Sequence, residues 1–428
     1  SDVTVTYRGS LSAGAGGLEG QAYSLLSGVT GAAPPLGFRL GLDRALDIDR
    51  RIADPNALST FTDVLAGQHD LDGRTTLQPF RGLNVGLTAR TTWGTGERVT
   101  FQVDPAGTLL EQPPNRSGNG ESTVLAFGGS YDAFLERHAD RFRDDTGGLP
   151  EGAAVESEFL SPTGIADDFR AVWARGLGGF GPNALFQLPL PNWSVTYSGL
   201  ERLPLLKLLA QQVTLQHGYS ATNRTDFTTT RLGPNARAET ILGYTFESAA
   251  TLAGDAGYDE PTALLVNQRF QPLIGANVTW KGGIQTSLTY NRSNTYSLQA
   301  AAAQFSQKSI QDLRMDLSYA KTGLRLLGLR RLNNNLRLTL TAVLADDVTR
   351  DRAFQQDLLT LLGGGTPADP GERLTTRFQL SPRISYTISN QVTADVFVRY
   401  ERVYTEGTNS FPNKSFDGGV NLRILFSN

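Results

Sequence analysis

Ile274-Gly275-Ala276-Asn277-Val278-Thr279-Trp280-Lys281-Gly282-Gly283-Ile284-Gln285-Thr286-Ser287-Leu288-Thr289-Tyr290-Asn291 changes character at every step. Ile274, Ala276, Val278 and Trp280 alternate with Gly275, Asn277 and Thr279. After a tight Lys281-Gly282-Gly283 turn, Ile284, Thr286, Leu288 and Tyr290 alternate with Gln285, Ser287, Thr289 and Asn291. A period of two puts one set of side chains on each face of a sheet. Strands of about 10 residues joined by short turns on one side form the pattern of a transmembrane β-barrel wall. The fold expected is therefore all-β, an antiparallel barrel wall in a bacterial outer membrane.

The composition is compatible with that reading. The chain has 428 residues, 39% of them hydrophobic, and a mean hydropathy of -0.25. No run approaches the roughly 20 apolar residues of a membrane helix, but alternating barrel strands keep average hydropathy low. Forty-six glycines, with many Thr, Asn and Gln, suit a sheet with one polar face. A net charge of -3 and the lack of a basic stripe argue against a nucleic-acid partner. Cysteine is absent, which excludes thiol chemistry and thiolate metal sites. Ser1-Asp2 leads into Val3, Val5 and Tyr7 without a signal-peptide pattern, so the expectation is a mature chain or, more in keeping with a start inside a strand, the C-terminal piece of a longer one.

Along the chain, residues 1–104 read as barrel strands: Leu36, Phe38, Leu40 and Leu42 alternate, and a clean strand runs from Leu83 to Trp93. Gly94-Thr95-Gly96 reads as a turn back into Val99, Phe101 and Val103. Residues 105–190 break the pattern. Pro113-Pro114-Asn115 and Gly118-Asn119-Gly120 mark a loop. Phe134, Leu135, His138 and Phe142 then fall at helical spacing, as do Ile165, Phe169 and Trp173. Such an insertion suits a cap or plug of a barrel. Strands resume over 191–428, with a helical bend at Leu203 to Leu209 and a long loop at about 222–259. The expected total is roughly 14 to 18 strands, the last running to Phe426. Aromatics near strand ends (Trp93, Trp193, Trp280, Tyr290, Tyr319, Tyr400) match interfacial girdles.

Chemical sites are few. His69-Asp70 could suggest acid-base work but reads better as an exposed loop pair. His138 reads as helix packing and His217 as structural. Asp346, Asp347 and Asp351 lack the spacing of a calcium loop and read as a solvated hairpin end. Asn333-Asn334-Asn335 is a turn, and Arg325, Arg330 and Arg331 line a strand end or face lipopolysaccharide phosphates. Gly94-Thr95-Gly96 lacks the helix and Lys of a phosphate loop. Nothing calls for an enzyme, a cofactor or a metal. In the last strands Val392, Ala394, Val396 and Val398 would face lipid; Thr393, Asp395, Arg399 and Glu401 would face a hydrated lumen, with Phe397 breaking that series.

The middle of the chain carries a more specific likeness. Leu188-Pro189-Leu190-Pro191-Asn192-Trp193-Ser194-Val195-Thr196-Tyr197-Ser198-Gly199-Leu200 resembles a block near the C-terminus of the SprA/Sov proteins, the outer-membrane translocons of the type 9 secretion system. The bend Arg202 to Lys207 and the strand end His217-Gly218-Tyr219 resemble the bend and strand end that come after that block in the family. Phe270-Gln271-Pro272-Leu273-Ile274-Gly275, Tyr290 to Leu298, and Gln78-Pro79-Phe80-Arg81 resemble further blocks, in the family's order. Family members are several times longer, and barrel proteins more often end on an aromatic itself, whereas here Ser427-Asn428 come after Phe426.

The resemblance implies structural roles for Pro189, Pro191, Asn192, Trp193, Tyr197, Gly199, Pro272 and Gly275. It implies a wall segment of a very wide barrel that passes folded cargo proteins from periplasm to cell surface. The partners it implies are the remaining N-terminal part of the barrel (on the same or another chain), a PorV-like shuttle barrel, a periplasmic plug protein, secreted cargo and outer-membrane lipid. Two other readings stay open: a self-contained 14- to 18-strand porin or uptake barrel, and a soluble β-rich surface adhesin.

Overall fold

The computed structural model describes residues 2–14, 60–103, 109–111, 115–141, 162–174, 179–180, 186–229, 239–241, 244–246, 259–300, 302–322, 335–362, 365–367, 371–389, 391–406 and 412–425. The expected strand at Leu36 to Leu42 lies outside these residues, as do Phe142, Arg325, Arg330, Arg331, Asn333, Asn334 and Phe426.

The chain is all-β. One antiparallel sheet of 14 strands holds β1 (Val3–Gly14), β2 (Thr60–Leu77), β3 (Leu83–Val103), β4 (Leu109–Glu111), β5 (Asn115–Thr123), β8 (Asn192–Ser198), β9 (Ala210–Thr229) and β12 (Asp259–Trp280). It continues through β13 (Ile284–Gln299), β14 (Gln304–Thr322), β15 (Asn335–Ala353), β16 (Glu372–Ser389), β17 (Val392–Thr405) and β18 (Asn413–Ile424). Two ribbons pair separately: β6 (Gly179–Phe180) with β7 (Phe186–Gln187), and β10 (Glu239–Ile241) with β11 (Tyr244–Phe246). The helices are α1 (Tyr131–Ala139), α2 (Pro162–Trp173), α3 (Pro204–Leu209) and α4 (Phe354–Leu362).

Neighbouring strands run β1-β2-β3-β5-β9 and then β12 to β18 in sequence order. β4, β5 and β8 all pair with the same side of β3, at successive heights. They are pieces of one column of the wall. Among the described residues β1 pairs only with β2 and β18 only with β17, so the sheet has two edges.

The alternation of the sequence becomes two faces. Register carries Leu288 onto Met315, Ala342 and Leu380, and Ile284 onto Tyr319, Leu338, Ile384, Val396 and Val420. The same face holds Val3, Val5 and Tyr7 at one edge and Leu422 and Ile424 at the other. Many of these side chains stand open: Ile274 is 61% exposed, Leu344 45% and Val420 70%. The opposite face carries Thr289, Arg314, Thr341, Ser381, Asp395 and their neighbours.

One strand changes environment along its length without changing face. In β13, Ile284 and Leu288 are exposed, whereas Asn294, Tyr296 and Leu298, in phase with them, are buried. The cover is the insertion. Trp173 of α2 stacks on Tyr296 at 5.1 Å and on Phe305 at 5.1 Å, and Phe134 of α1 meets Phe354 of α4 at 4.8 Å. Phe134, Ile165, Phe169, Trp173, Leu264, Leu298, Phe305 and Phe354 form a closed apolar core. The helices therefore lie on the apolar face, next to the exposed band, not on the polar face where a cap or plug of a lumen would sit.

Several local readings are corrected. Gly94-Thr95-Gly96 is no turn; β3 runs through it, and Gly94 lies close to the carbonyl of Gly67 on β2. Gly118-Asn119-Gly120 belongs to β5, a wall strand. A Cβ on Gly118 would meet the Phe227 ring at 2.3 Å and the Gly94 carbonyl at 2.6 Å, so glycine is there for close approach. The loop expected from 222 begins later, because β9 continues to Thr229. Asp346, Asp347 and Asp351 lie within β15, not at a hairpin end. By contrast, the Lys281-Gly282-Gly283 turn and the Leu203 to Leu209 bend are as read, with Gly283 at φ 83.

Candidate functional site

Two features of the wall are built rather than incidental. The first is its polar face. Arg90 holds Asp70 with both guanidinium arms at 2.9 and 3.0 Å. Arg74 meets Asp72 at 2.6 Å, Arg314 meets Asp316 at 2.6 Å, and Lys308 meets Asp347 at 2.9 Å. Arg377 and Arg399 both reach Glu401, at 2.7 and 2.8 Å, and Arg383 reaches Asp395 at 3.3 Å, whose other partner is Ser385. These pairs sit in water-accessible surroundings and each is worth only about 0–1 kcal/mol. Their consequence is a face whose charges are locally matched and hydrated.

Of the residues expected on a lumen, Thr393, Asp395, Arg399 and Glu401 all share this face, paired with Thr387, Ser385, and strand neighbours of β16 and β18. Phe397 shares it too. Its ring covers Gly419, lying 3.1 Å from where a Cβ there would be, so it packs on the neighbouring strand rather than on a loop. Val392, Ala394, Val396 and Val398 occupy the apolar face, as the alternation requires.

The second feature is the junction where the helical insertion enters the wall. β5 pairs with β3 from Arg98 down to Thr91, and β8 pairs with it from Thr88 down to Leu83. The column is broken between Thr123 and Asn192, and the helices are spliced in at the break. Side chains replace the missing ladder bonds: the Arg90 N–H donates to Thr123 Oγ1 at 3.1 Å and the Ala221 N–H to Asn192 Oδ1 at 2.9 Å. Outgoing and returning strands are tied together by the Leu190 N–H donating to the Thr123 carbonyl at 2.8 Å. An Asn or Thr at a strand break is thus a substitute backbone group.

Beside the break stands an aromatic cluster. Trp193 stacks on Tyr219 at 4.2 Å, Phe127 stacks on Tyr219 at 4.7 Å, and Phe270 meets Tyr219 at 5.1 Å. The Tyr219 hydroxyl accepts from the Ala126 N–H at 2.8 Å, and Gln268 donates to the Ala126 carbonyl while accepting from Asn294. β12 bulges between Phe270 and Ile274 at this height. The bulge leans on Gly218, where a Cβ would meet the Gln271 carbonyl at 2.7 Å; Pro272 lies as close to Gly275, and His217 Nδ1 lies 2.7 Å from the Leu273 carbonyl. Asn192, Trp193, His217, Pro272 and Gly275 thus converge, and Pro189 and Pro191 flank Leu190 on the returning side of the break. Tyr197 and Gly199 stand lower, at the turn end. There the Ser198 N–H donates to the Gly82 carbonyl at 2.8 Å and Phe80 meets Tyr197 edge-on at 6.1 Å.

The histidines resolve individually. His69 and Asp70 are consecutive in β2, not in a loop, and so point to opposite faces. His69 stacks on Trp93 at 5.1 Å with its Nδ1 2.7 Å from the Tyr7 hydroxyl, while Asp70 pairs with Arg90 across the sheet. His138 is packed in α1 as expected, but sequence reasoning missed its partner. Asp168 of α2, fully buried, contacts His138 Nδ1 at 2.8 Å, Arg141 at 2.8 Å and Arg137 at 3.1 Å. Burial alone would push the Asp168 carboxyl up, but the hydrogen bonds from His138 and Arg141 outweigh it and hold it below the usual carboxylate range. The pKa of Arg170 on the same helix is lowered too, but by burial, which disfavours its charged form despite Asp167 at 3.1 Å. Among the described residues no group of three or more His, Asp or Glu is placed to hold a metal ion.

No family model and no curated protein matches this sequence. Among solved structures, a loop L8 deletion mutant of OmpT, an outer membrane protein of Vibrio cholerae, is 11% identical, covering 85% of this chain and 99% of that one, with a TM-score of 0.21. In-vitro folded OmpT of the same organism in its trimer form is 9% identical over 86% of this chain and 99% of that one, with a TM-score of 0.20. Overlaps that loose carry no argument beyond the strands already described.

Proposed function

We propose that this chain is part of the wall of a wide outer-membrane channel that lets folded proteins pass from periplasm to cell surface, as in a type 9-like secretion system. The observation that carries the wall is the division of the sheet, below the row of Arg292, Gln311 and Asp346, into an exposed apolar face and a charge-matched polar face, with strands far longer than the usual 5–6 residues. From Leu336 to Leu344 the apolar band of β15 is about 26 Å along the strand, or about 20 Å tall at a 40° tilt, near the roughly 25 Å of an outer-membrane barrel. Tyr319, Tyr386 and Trp280 border it at one end, and Tyr290, Phe378 and Tyr400 at the other.

Two observations favour a segment over a closed porin. Among the described residues the edges β1 and β18 each pair on one side only, and the blocks resembling the secretion translocons, far apart in sequence, meet around Trp193, Tyr219 and Phe270. The mechanism is exclusion and weak contact: a hydrated, charge-matched face offers folded cargo little to bind, so cargo leaves. The partners in this reading are the rest of the barrel, lipid, cargo, a shuttle barrel and a plug protein.

Because the chain has no cysteine, a Val5→Cys, Val420→Cys pair, with both positions on the apolar face of the two edge strands, gives a clean test. The segment reading expects no intrachain disulfide on oxidation in the purified membrane assembly, together with an imaged pore wider than this sheet closed on itself. A disulfide joining the two edges refutes it and leaves the porin.

A further inference from the structure

The turn end of the sheet carries an apolar element that the wall does not use. After β8 the chain passes Leu200–Arg202 and enters α3, whose sequence is Pro204-Leu205-Leu206-Lys207-Leu208-Leu209. None of its residues is buried. Leu203 is 51% exposed, Leu205 74%, Leu208 75% and Leu209 55%. Burying one leucine is worth about 1.5–3 kcal/mol elsewhere in a protein, so four left open so close together ask for a covering phase. The helix is fixed in place: the Lys281 N–H donates to the Leu209 carbonyl at 2.9 Å, and Glu201 accepts from the Val213 N–H at 3.3 Å.

That position identifies the cover. Leu209 abuts the β12–β13 turn, where Trp280 and Ile284 form the lower border of the apolar band, so the leucines continue the band past its aromatic edge. Phe80, 57% exposed in the neighbouring turn, extends the same rim. Interleaved with the leucines are Arg202, Lys207 and Lys281, all exposed. Leucine and tryptophan side chains mixed with cations are the composition of an interfacial helix, with apolar groups at the acyl boundary and cations reaching phosphate headgroups. A protein partner would need no such match to the border of the band.

We infer that α3 is a membrane-surface anchor, seating Leu203, Leu205, Leu208 and Leu209 in the phospholipid leaflet on the short-turn side. This rests on the membrane reading above, and the test separates the two. Single-cysteine variants Leu208→Cys, Val396→Cys and Thr393→Cys, made in the cysteine-free chain, are labelled with an environment-sensitive fluorophore. The membrane assembly is reconstituted in phosphatidylcholine–phosphatidylglycerol vesicles containing lipids spin-labelled near the headgroup or deep in the chain. The result expected is quenching at 208 at least about twofold stronger by the shallow label than by the deep one. Position 396, on the apolar face near the lower border of the band, is quenched by both labels, and 393 stays unquenched by either. An unquenched 208 beside a quenched 396 overturns the anchor and leaves the membrane wall standing, with a protein partner as the covering phase. An unquenched 396 overturns both.

Discussion

A charge moved by one residue along β15 distinguishes the two faces most sharply. Leu340 lies midway between Leu336 and Leu344 on the apolar face, in the row of Leu317 and Pro382, whereas Thr341 lies on the polar face beside Asp316, to which it donates at 2.6 Å. Depth is nearly the same for both; only the face differs. An arginine on the lipid face costs about 2–4 kcal/mol at the bilayer midplane and about 0–1 kcal/mol at its borders. Leu340→Arg is therefore expected to destabilise the inserted wall by about 3 kcal/mol, a change of more than 100-fold in the folding equilibrium. Thr341→Arg loses one hydrogen bond but places its guanidinium next to the Asp316 carboxylate, so the net change is within about 1 kcal/mol. Leu344→Arg, about 10 Å higher and level with Phe378, falls near the border and costs about 0–1 kcal/mol. Urea titration of the chain inserted in phospholipid vesicles, followed by tryptophan fluorescence, measures all three. Equal costs at 340 and 341 would refute the assignment of faces, and equal costs at 340 and 344 would refute the band.

Other consequences are local. Asp168→Asn removes the anion shared by His138, Arg137 and Arg141 and should loosen α1 by about 3 kcal/mol, seen as lost hydrogen-exchange protection over Tyr131–Ala139. Because the folded-state pKa of Asp168 is depressed, its contribution is present above the unfolded value of about 4 and is lost as pH falls through the folded value; the helices should loosen below about pH 4 in wild type but not in the Asn variant. Gly118→Ala drives a methyl into the Phe227 ring and the Gly94 carbonyl, so Phe227→Ala in the same chain should recover only part of its loss in thermal unfolding. Asn192→Ala orphans the Ala221 N–H at about 1–3 kcal/mol, and Asn192→Asp, which keeps the acceptor, should recover most of that in the same assay.

The wall was legible because a period of two survives over strands as long as the 16 residues of β13, and register then extends each face by pairing. Asp395, Arg399 and Glu401 needed nothing more than parity to be placed. What misled was glycine. Gly94 and Gly118 look like turn residues, yet both lie within strands, and at Gly118 the Phe227 ring and the Gly94 carbonyl come too close for a Cβ. Sequence spacing also shows Phe134, Phe169 and Trp173 as helix faces but says nothing about which side of the sheet receives them. That is decided by Tyr296, Leu298 and Phe305, whose apolar character is no different from the exposed residues below them on the same strands. The Asp168 pairing was invisible for a similar reason: its partners lie a helix away.

The splice at Thr123 and Asn192 links these points into one constraint. A strand that crosses a bilayer can shed backbone pairing only where other groups satisfy it, and here Thr123, Asn192, Tyr219 and Gln268 do so at the top of the exposed band. The row above Tyr290 turns polar on the apolar face itself, with Arg292, Gln311, Asp346 and Thr376 side by side. That row lies at the height where the helices begin to cover the strands. If the band below it is the hydrocarbon zone, the helical insertion rests on the outer flank of the wall just beyond the bilayer, and the strands continue past the membrane because the helices replace lipid as their apolar cover. The polar face stays uncovered by these helices over its whole height. In the channel proposed above, an insertion so placed would lengthen the wall without narrowing the pore.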